Sequence, residues 1–330
     1  MERIMLAHGS GGRLSHELIR NLFQKYLGNS YLDQMNDAAL LPGLEKIAVT
    51  TDSFVVSPLF FRGGNIGKLA VCGTVNDLAV SGAIPKFLTL ALIIEEGFPM
   101  DELERIIKSV AETAAEAGVV IAGGDTKVVE RGSADKIFIN TTGIGYITDR
   151  SVGPDRIQPG DEILITGTIG DHGIAILSER EGLEFQTPVL SDCAPLNNLI
   201  DTFYLPGVKC MRDPTRGGVA TTLNELAQQA GVSLLLNEEQ LPLSPSVEGA
   251  CGMLGLDPLY LANEGKALVI AAPDAADQVL LNMRAHPLGR KAARIGQVQE
   301  GKPGLVLLET FLGGKRILGM LEGEHLPRIC

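Results

Sequence analysis

Cysteine is scarce and scattered in this chain of 330 residues. The five cysteines lie at positions 72, 193, 210, 251 and 330. None of them forms a Cys-x-x-Cys pair or a cysteine–histidine pair with zinc-site spacing. An odd, widely spaced set is typical of a protein in a reducing compartment, so we expect a cytoplasmic protein. The prenylation signal is absent too, because it needs a cysteine four residues from the end and here cysteine is last.

Long apolar runs and an excess of positive charge are also missing. No apolar segment approaches the roughly 20 residues that cross a bilayer, and Met1–Ile4 lack the charged and apolar regions of a signal peptide. With a net charge of −12, the chain lacks the excess of positive charge that binds nucleic acid or an anionic membrane. With 45% hydrophobic and 21% charged residues, the composition is that of a globular protein rather than a disordered one.

The common nucleotide-binding motifs are incomplete. Gly64-Asn-Ile-Gly-Lys68 resembles part of a P-loop, but the first glycine is missing and Leu69 replaces the Ser or Thr that binds Mg²⁺. The loop Gly9-Ser-Gly-Gly12 lacks the third glycine of the dinucleotide fingerprint, and no adequate strand precedes it. A nucleotide would therefore have to bind through another fold.

The length suits two domains. The best boundary lies at residues 149–160, where Gly153-Pro154 and Pro159-Gly160 occur. We predict a first domain at 1–150, a second at 151–312 and a mobile tail at 313–330. Apolar periodicity predicts strands near 46–51, 87–94, 119–122, 136–147, 162–166, 232–236, 266–271, 294–298 and 304–309. It predicts helices near 14–26, 66–80, 100–117, 173–181 and 217–230. This alternation indicates an α/β (α+β) fold.

Four aspartates of the first half lie in similar contexts, beside glycines or near the ends of predicted elements: Asp37, Asp52, Asp77 and Asp125. A single aspartate of this kind is an ordinary turn residue. The four occur together with a glycine-rich loop that leads into a helix and can present N–H groups to an anion. Because carboxylates are good ligands for phosphate-bound Mg²⁺, we predict that these aspartates bind the metal of an ATP–Mg²⁺ site.

Six motifs occur together along the chain. They are His8-Gly-Ser-Gly-Gly12, Asn36-Asp-Ala-Ala39, Thr51-Asp-Ser-Phe54, Asn76-Asp-Leu-Ala-Val-Ser-Gly82, Gly123-Gly-Asp-Thr-Lys127 and Asp213-Pro-Thr-Arg-Gly-Gly218. The set resembles the aminoimidazole ribonucleotide synthetase-like (PurM-like) ATP-binding superfamily. The terminal Pro327-Arg-Ile-Cys330 narrows the resemblance to the carbamoyl dehydratases of hydrogenase maturation. The resemblance extends from the first loop to the last residue.

The resemblance implies a two-domain PurM-like fold with ATP and Mg²⁺ as cofactors. The first domain would be a four-stranded sheet with helices on one face, forming a β-barrel with a second copy in a homodimer. The tail would insert into the ATP groove for dehydration and leave it for loading and transfer, which keeps water from a reactive intermediate. The residues implied beside ATP are the four aspartates with Gly9, Ser10, Gly11, Gly12 and Thr126.

The resemblance also implies a reaction. A HypF carbamoyltransferase would load a carbamoyl group on the Cys330 sulfur, and ATP would phosphorylate the carboxamide oxygen to make it a good leaving group. Loss of phosphate and protons would leave a thiocyanate, whose cyano group passes to iron on a HypC–HypD complex for a [NiFe] hydrogenase. By the same resemblance Lys127 orients the oxyanion and Glu264 acts as the base near Cys330.

Other functions remain open at this point. A selenophosphate synthetase would need a reactive Cys or selenocysteine near the first loop, but no cysteine precedes Cys72. A thiamine-phosphate kinase would not need a terminal cysteine, and a non-catalytic ATP-responsive scaffold would only dock partners. We expect His172 to be structural rather than a phosphate ligand. Asp213 and Arg216 belong to the second-domain motif without an assigned role.

Overall fold

The computed structural model describes residues 3–9, 13–34, 41–43, 46–147, 149–180, 188–321 and 328–330. The strands in these ranges are β1 Ile47–Phe54, β2 Phe60–Phe61, β3 Gly64–Asn65, β4 Ala83–Glu95, β5 Val120–Val129, β6 Ile137–Ile147, β7 Glu162–Ile165, β8 Val208–Arg212, β9 Ser233–Asn237, β10 Leu268–Ala271, β11 Ala293–Gln299, β12 Leu305–Glu309 and β13 Lys315–Ile317. The α-helices are α1 Arg13–Leu18, α2 Gln24–Leu27, α3 Ile66–Val80, α4 Met100–Ala117, α5 Asp171–Ser178, α6 Asn197–Phe203, α7 Gly218–Ala230, α8 Pro245–Leu254 and α9 Pro273–Ala285. Strands and helices alternate, and this confirms the predicted α/β class.

The first domain is a four-stranded sheet in the order β1-β6-β4-β5. Strand β4 pairs with β5 in parallel and with β6 antiparallel, which leaves β1 and β5 at the two edges. Helices α3 and α4 pack on one face, and apolar residues recurring along α4 are buried there, as their spacing predicts. Helix α4 begins after Pro99, and the acidic Asp101 lies in its first turn, where a negative charge favours the helix.

Two of the predicted metal ligands lie within strands and not at strand ends. Asp52 is the sixth residue of β1, and β5 continues through Gly123-Gly124-Asp125 to Val129. The predicted strand near 119–122 is therefore too short, because Gly124 packs against strand β4 and the strand continues past it. A Cβ at Gly124 would lie 2.4 Å from the carbonyl oxygen of Leu90. Glycine therefore serves close strand approach here rather than a turn.

The face of this sheet opposite α3 and α4 is partly apolar and exposed. Ile47 and Val49 on β1 are 51% and 60% exposed, and Ile93 on β4 is 44% exposed. Side chains alternate between the two faces of a strand, so these residues point away from the buried core of the first domain. Apolar residues grouped on an uncovered face of a sheet are typical of an interaction surface.

The second domain contains a seven-stranded sheet in the order β13-β12-β9-β11-β7-β10-β8. Helices α6 and α9 cover one face and α7 covers the other. Strand β13 pairs with β12, and Leu318 is fully buried in the core beside α7. Residues 315–318, which we expected to begin the tail, therefore pack as part of this domain.

Helix α3 joins the two domains. The buried amide of Asn76 donates hydrogen bonds of 3.1 Å to the carbonyl oxygens of Ala194 and Glu264, and it accepts one of 2.8 Å from the Leu196 N–H. Three bonds from one buried side chain fix the backbone of Glu264 relative to the first domain. None of the helices in the described ranges is both long enough and apolar enough to cross a bilayer.

Candidate active site

The last three residues are docked between the two domains. The Val55 N–H donates to the carbonyl oxygen of Cys330 at 3.1 Å, and the Ser57 N–H donates to that of Arg328 at 3.2 Å. This alternation is that of a short strand added beside residues 55–57. The side chain of Ile329 is buried in the core of the first domain, which anchors the inserted tail.

The inserted tail places the thiol of Cys330 at a cavity of about 100 Å³. The cavity is lined by Asp52, Ser53, Phe54, Gly73, Asp77, Asp213, Thr215, Arg216, Glu264 and Cys330. Burial, with the carboxylate of Glu264 nearby, raises the pKa of the Cys330 thiol to about 12, although Arg216 opposes the shift. The free thiol is therefore neutral in the inserted state, and three predicted site residues, Asp52, Asp77 and Glu264, surround it.

Glu264 is a buried carboxyl with an open acceptor position. The residue is 3% exposed, and its Oε1 atom has no hydrogen-bond partner among the described residues. Burial, reinforced by Cys193 and three neighbouring aspartates, raises its pKa well above the ordinary value. Its backbone N–H donates to Asp192 Oδ1 at 3.1 Å, which helps to hold the side chain at the cavity. Such a group is suited to accept a proton from a ligand beside Cys330.

Arg216 is the cation that opposes the rise in the pKa of the Cys330 thiol. Its guanidinium borders the same cavity as the Cys330 thiol, and its Nη2 atom lies 3.8 Å from Asp52 Oδ1. A positive group at this position stabilises negative charge that develops on a substituent of the sulfur. No role for Arg216 follows from the sequence. Its place in the Asp213–Gly218 motif was the only available signal.

Three aspartate carboxyl groups, those of Asp52, Asp77 and Asp213, also border this cavity. Burial and the neighbouring Asp213 and Asp52 raise the pKa of Asp77 to about 7, while Thr50 Oγ1 donates to Asp77 Oδ2 at 2.8 Å. Burial raises the pKa of Asp213 to about 6. Carboxylates that raise one another's pKa in this way are stabilised by a bound cation. The donor set therefore fits a hard cation such as Mg²⁺, although no group of three or more possible ligands in the described ranges has the arrangement of a complete metal site.

The remaining described site residues line a different cavity. Gly9, Asp125, Thr126 and Lys127 border a space of about 380 Å³ whose other walls are mainly apolar side chains of the first 32 residues and of β4 and β5. The Lys127 Nζ atom pairs with Asp125 at 3.0 Å, and both side chains are largely exposed. Gly9, Asp125 and Thr126, which we predicted to bind the nucleotide, therefore lie together here, whereas Asp52 and Asp77 border the cavity that contains Cys330.

Strand register explains this separation. Lys127 lies opposite Ile93, and Ile93 lies opposite Phe138. Phe54 pairs with Ile139 in the antiparallel sheet, so the next residue, Val55, lies opposite Phe138. Lys127, Ile93, Phe138 and Val55 thus form one row across the four strands. Lys127 therefore shares a row with Val55, which binds the tail, but stands about 14 Å away across three interstrand spacings. Within one chain, Lys127 and Cys330 lie on opposite edges of the sheet.

The other predicted site residues are placed as follows. Asp37, Ser10, Gly11 and Gly12 lie outside the described residues. The buried ring of His172 does not border the thiol cavity, and it bonds the carbonyl oxygen of Ile329 next to Cys330. No local sequence pattern signals this contact, because the two residues are 157 positions apart.

Family models match both domains. Residues 35–147 match the N-terminal domain of AIR synthase related proteins, and residues 158–307 match the C-terminal domain. The carbamoyl dehydratase HypE of Cupriavidus necator is 50% identical over 99% of this chain and 95% of that protein. The HypE of Escherichia coli K12 is 48% identical over the full length of both.

Solved structures agree with the sequence relatives. A HypE in complex with ATP superposes with a TM-score of 0.95 at 50% identity, covering 99% of both chains. The HypE of a HypE–HypF complex has a TM-score of 0.82 at 51% identity, covering 92% of this chain and 99% of that one. A thiamine-monophosphate kinase from Stenotrophomonas maltophilia shares the fold alone, with a TM-score of 0.69 at 22% identity over 88% and 95% of the two chains. The chain therefore belongs to the HypE family of carbamoyl dehydratases, within the AIR synthase related proteins.

Proposed function

We propose that this chain converts a carbamoyl group on Cys330 into a thiocyanate with the consumption of ATP. The observation that carries the proposal is the position of the terminal thiol, which is inserted between a buried carboxyl, Glu264, and a guanidinium, Arg216. Full-length similarity to carbamoyl dehydratases supports it. The thiamine-phosphate kinase alternative is disfavoured because that likeness is to the fold alone and because such a kinase needs no terminal thiol.

The residues around the thiol suit each part of this reaction. ATP would phosphorylate the carboxamide oxygen, and phosphate would then leave as the nitrogen loses both protons, so that ATP and the S-carbamoyl group give ADP, phosphate and S-cyanocysteine. Glu264 Oε1 is free to accept a proton at the nitrogen. Arg216 would stabilise negative charge at the carboxamide oxygen.

We propose Asp52 and Asp77 as the described residues that hold Mg²⁺ with the nucleotide, together with Asp37. Bound Mg²⁺ would neutralise charge on the phosphates. Asp125 and Thr126 would contact ATP from the second cavity, where Gly9 brings the first loop against β5. A Cβ at Gly9 would lie 2.5 Å from the Val128 nitrogen, so only glycine allows this approach. The apolar walls of the cavity suit an adenine ring.

We further propose that the complete site forms between two copies of the chain. Twofold closure of two four-stranded sheets into a barrel would set the β1 edge of one copy beside the β5 edge of the other. The partner subunit's Lys127 would then approach Cys330, and the exposed Ile47, Val49 and Ile93 would be covered inside the barrel. This arrangement would join the two groups of predicted site residues that one chain keeps apart.

The proposed partners are those that the similarity to carbamoyl dehydratases implies. A HypF carbamoyltransferase would load Cys330 when the tail is out of the cavity, in keeping with the solved HypE–HypF complex of a 51% identical relative. A HypC–HypD complex carrying iron would receive the cyano group. The non-catalytic scaffold is the remaining alternative, since a scaffold could bind the same partners without changing the tail.

Intact-mass measurement separates the enzyme from the scaffold. The protein is incubated with HypF, carbamoyl phosphate and ATP, freed of nucleotide once the carbamoyl mass appears, and divided into portions with and without fresh ATP. Cys330→Ala is treated in parallel. We expect wild type to gain one carbamoyl mass and then lose one water mass only when ATP is supplied, while the alanine variant stays unmodified. A carbamoylated wild type that never loses water, or equal modification of Cys330→Ala, would refute the proposal.

A further inference from the structure

The imidazole of His172 is buried between the tail and the loop at residues 191–193. The residue is fully buried at the start of α5. Its Nε2 atom lies 2.8 Å from the carbonyl oxygen of Ile329, and its Nδ1 atom lies 2.8 Å from Ser191 Oγ. The ring of Phe61 packs edge to face with it at 5.6 Å between centroids. Both ring nitrogens and one flank are thus engaged.

The partners of His172 determine its tautomer. A carbonyl oxygen can only accept, so Nε2 carries the proton and donates it to Ile329. The Ser191 hydroxyl already accepts from the Cys193 N–H at 3.1 Å, and its own proton is therefore available to Nδ1. Burial lowers the pKa of His172, in agreement with a neutral ring. Every polar atom of this small network is satisfied while the tail is inserted.

The bond from His172 acts on the peptide that joins Ile329 to Cys330. The carbonyl groups of Arg328 and Cys330 accept from residues 55–57 of the first domain. Successive carbonyl groups of an extended chain point in opposite directions. The carbonyl group of Ile329 therefore points away from residues 55–57 and toward the second domain. There the Nε2–H group of His172 donates a hydrogen bond to this carbonyl oxygen. The inserted tail is thus held from both domains. From the second domain His172 bonds the carbonyl group of Ile329, and the Arg180 Nη2 atom donates to the carbonyl oxygen of Arg328 at 3.1 Å.

The loop that orients His172 also supports Glu264. Ser191 bonds the imidazole, and the next residue, Asp192, accepts from the Glu264 N–H at 3.1 Å. The side chain of Asp192 is 3% exposed and pairs with Lys266 at 3.1 Å. The same short loop therefore sets the position of the tail carbonyl and of the carboxyl that faces the thiol.

We propose that His172 is a positioning residue that holds the inserted tail through the Ile329 carbonyl and thereby aligns Cys330 with Glu264 and Arg216. The proposal rests on the proposed function in one respect, namely that loading and dehydration need the tail in two positions. Dehydration requires the bond to His172, whereas loading requires that it be broken. His172 thus sets the balance between the two positions of the tail.

Alkylation of Cys330 by iodoacetamide measures this balance without reference to catalysis. The other four cysteines are at most 3% exposed, so the terminal thiol is the site that reacts. His172→Phe loses one buried hydrogen bond to the tail, and its Cys330 should be alkylated about ten times faster than that of wild type. Ser191→Ala only weakens the orientation of His172, and its Cys330 should be alkylated about three times faster than that of wild type. His172→Gln keeps an N–H donor near the position of Nε2 and should stay closer to wild type than His172→Phe.

A second measurement separates positioning from general damage. In single-turnover experiments followed by intact mass, the ATP-dependent loss of water should slow by a similar factor of about ten in His172→Phe, while carbamoyl loading by HypF should not slow. Alkylation of both His172→Phe and Ser191→Ala at the wild-type rate would overturn the proposal, as would an equal loss of loading and dehydration. If His172→Phe fails to fold, unchanged alkylation of Ser191→Ala alone overturns it. Failure of the proposed function has a different signature, because wild type would then never lose water while the alkylation result still stands.

Discussion

Complementation between two inactive variants tests whether the active site is shared between subunits. Lys127→Ala would remove the lysine at the β5 edge, and Cys330→Ala would remove the carrier thiol at the β1 edge. Within one chain Lys127 lies about 14 Å from Val55, the residue beside β1 whose N–H binds the carbonyl oxygen of Cys330. An extended lysine side chain spans roughly 6 Å from its Cα atom, so it cannot contact the thiol of its own chain across that distance.

The expected magnitude follows from twofold symmetry. In a mixed dimer, one site combines both substitutions and the other combines an intact Cys330 with the partner subunit's intact Lys127. If subunits mix randomly, half of the dimers are mixed and each has one intact site. The mixture should therefore recover about a quarter of the wild-type dehydration rate per site, whereas either variant alone recovers almost none.

The assay is the ATP-dependent loss of water from the loaded protein, read by intact mass after the two variants are mixed under conditions of subunit exchange. A matched control mixes Lys127→Ala with Glu264→Ala, which lies on the same side of the shared site as Cys330. This pair should also recover activity, because its mixed dimers contain one intact site. No recovery in either mixture, with mixed dimers demonstrated by differential tagging, would refute the shared site.

Two further predictions concern carboxyl groups near the thiol. Glu264→Gln should slow dehydration at least about 100-fold without slowing carbamoyl loading, because it removes the proton acceptor. The exposed Glu248→Gln is the control, and a Glu264→Gln variant that dehydrates at the wild-type rate would exclude this base. Asp77 has a pKa of about 7, raised from 3.8, so its contribution to the free energy of unfolding is greatest below pH 3.8 and is lost as the pH rises through about 7. Between pH 5 and 8, without nucleotide and Mg²⁺, the Tm of Asp77→Asn should therefore fall less than that of wild type; parallel pH profiles would contradict the raised pKa.

The sequence alone determined which segments form helices and strands wherever the apolar pattern is regular. Helix α4 follows the spacing of Leu103, Ile106, Ile107 and Val110, and it ends at Gly118, whose φ of 68° suits glycine. Local periodicity suffices there because one helix face is buried. The pattern failed at Gly123-Gly124, since glycine signals a turn and close strand packing equally well, and only the neighbouring strand β4 decides between them.

The candidate site, like the fold, was determined in part by the sequence and in part by the tertiary structure. Motif resemblance located Cys330, Glu264 and the aspartates one by one, because each is encoded in a short stretch of sequence. The grouping of these residues was decided by tertiary structure, since strand order puts Lys127 and the thiol on opposite edges of one sheet. The contact of His172 with the tail likewise joins residues 157 positions apart, and no local pattern encodes such a distance. Spacing along the chain determines which groups are available, whereas the packing of the two domains determines which of them meet.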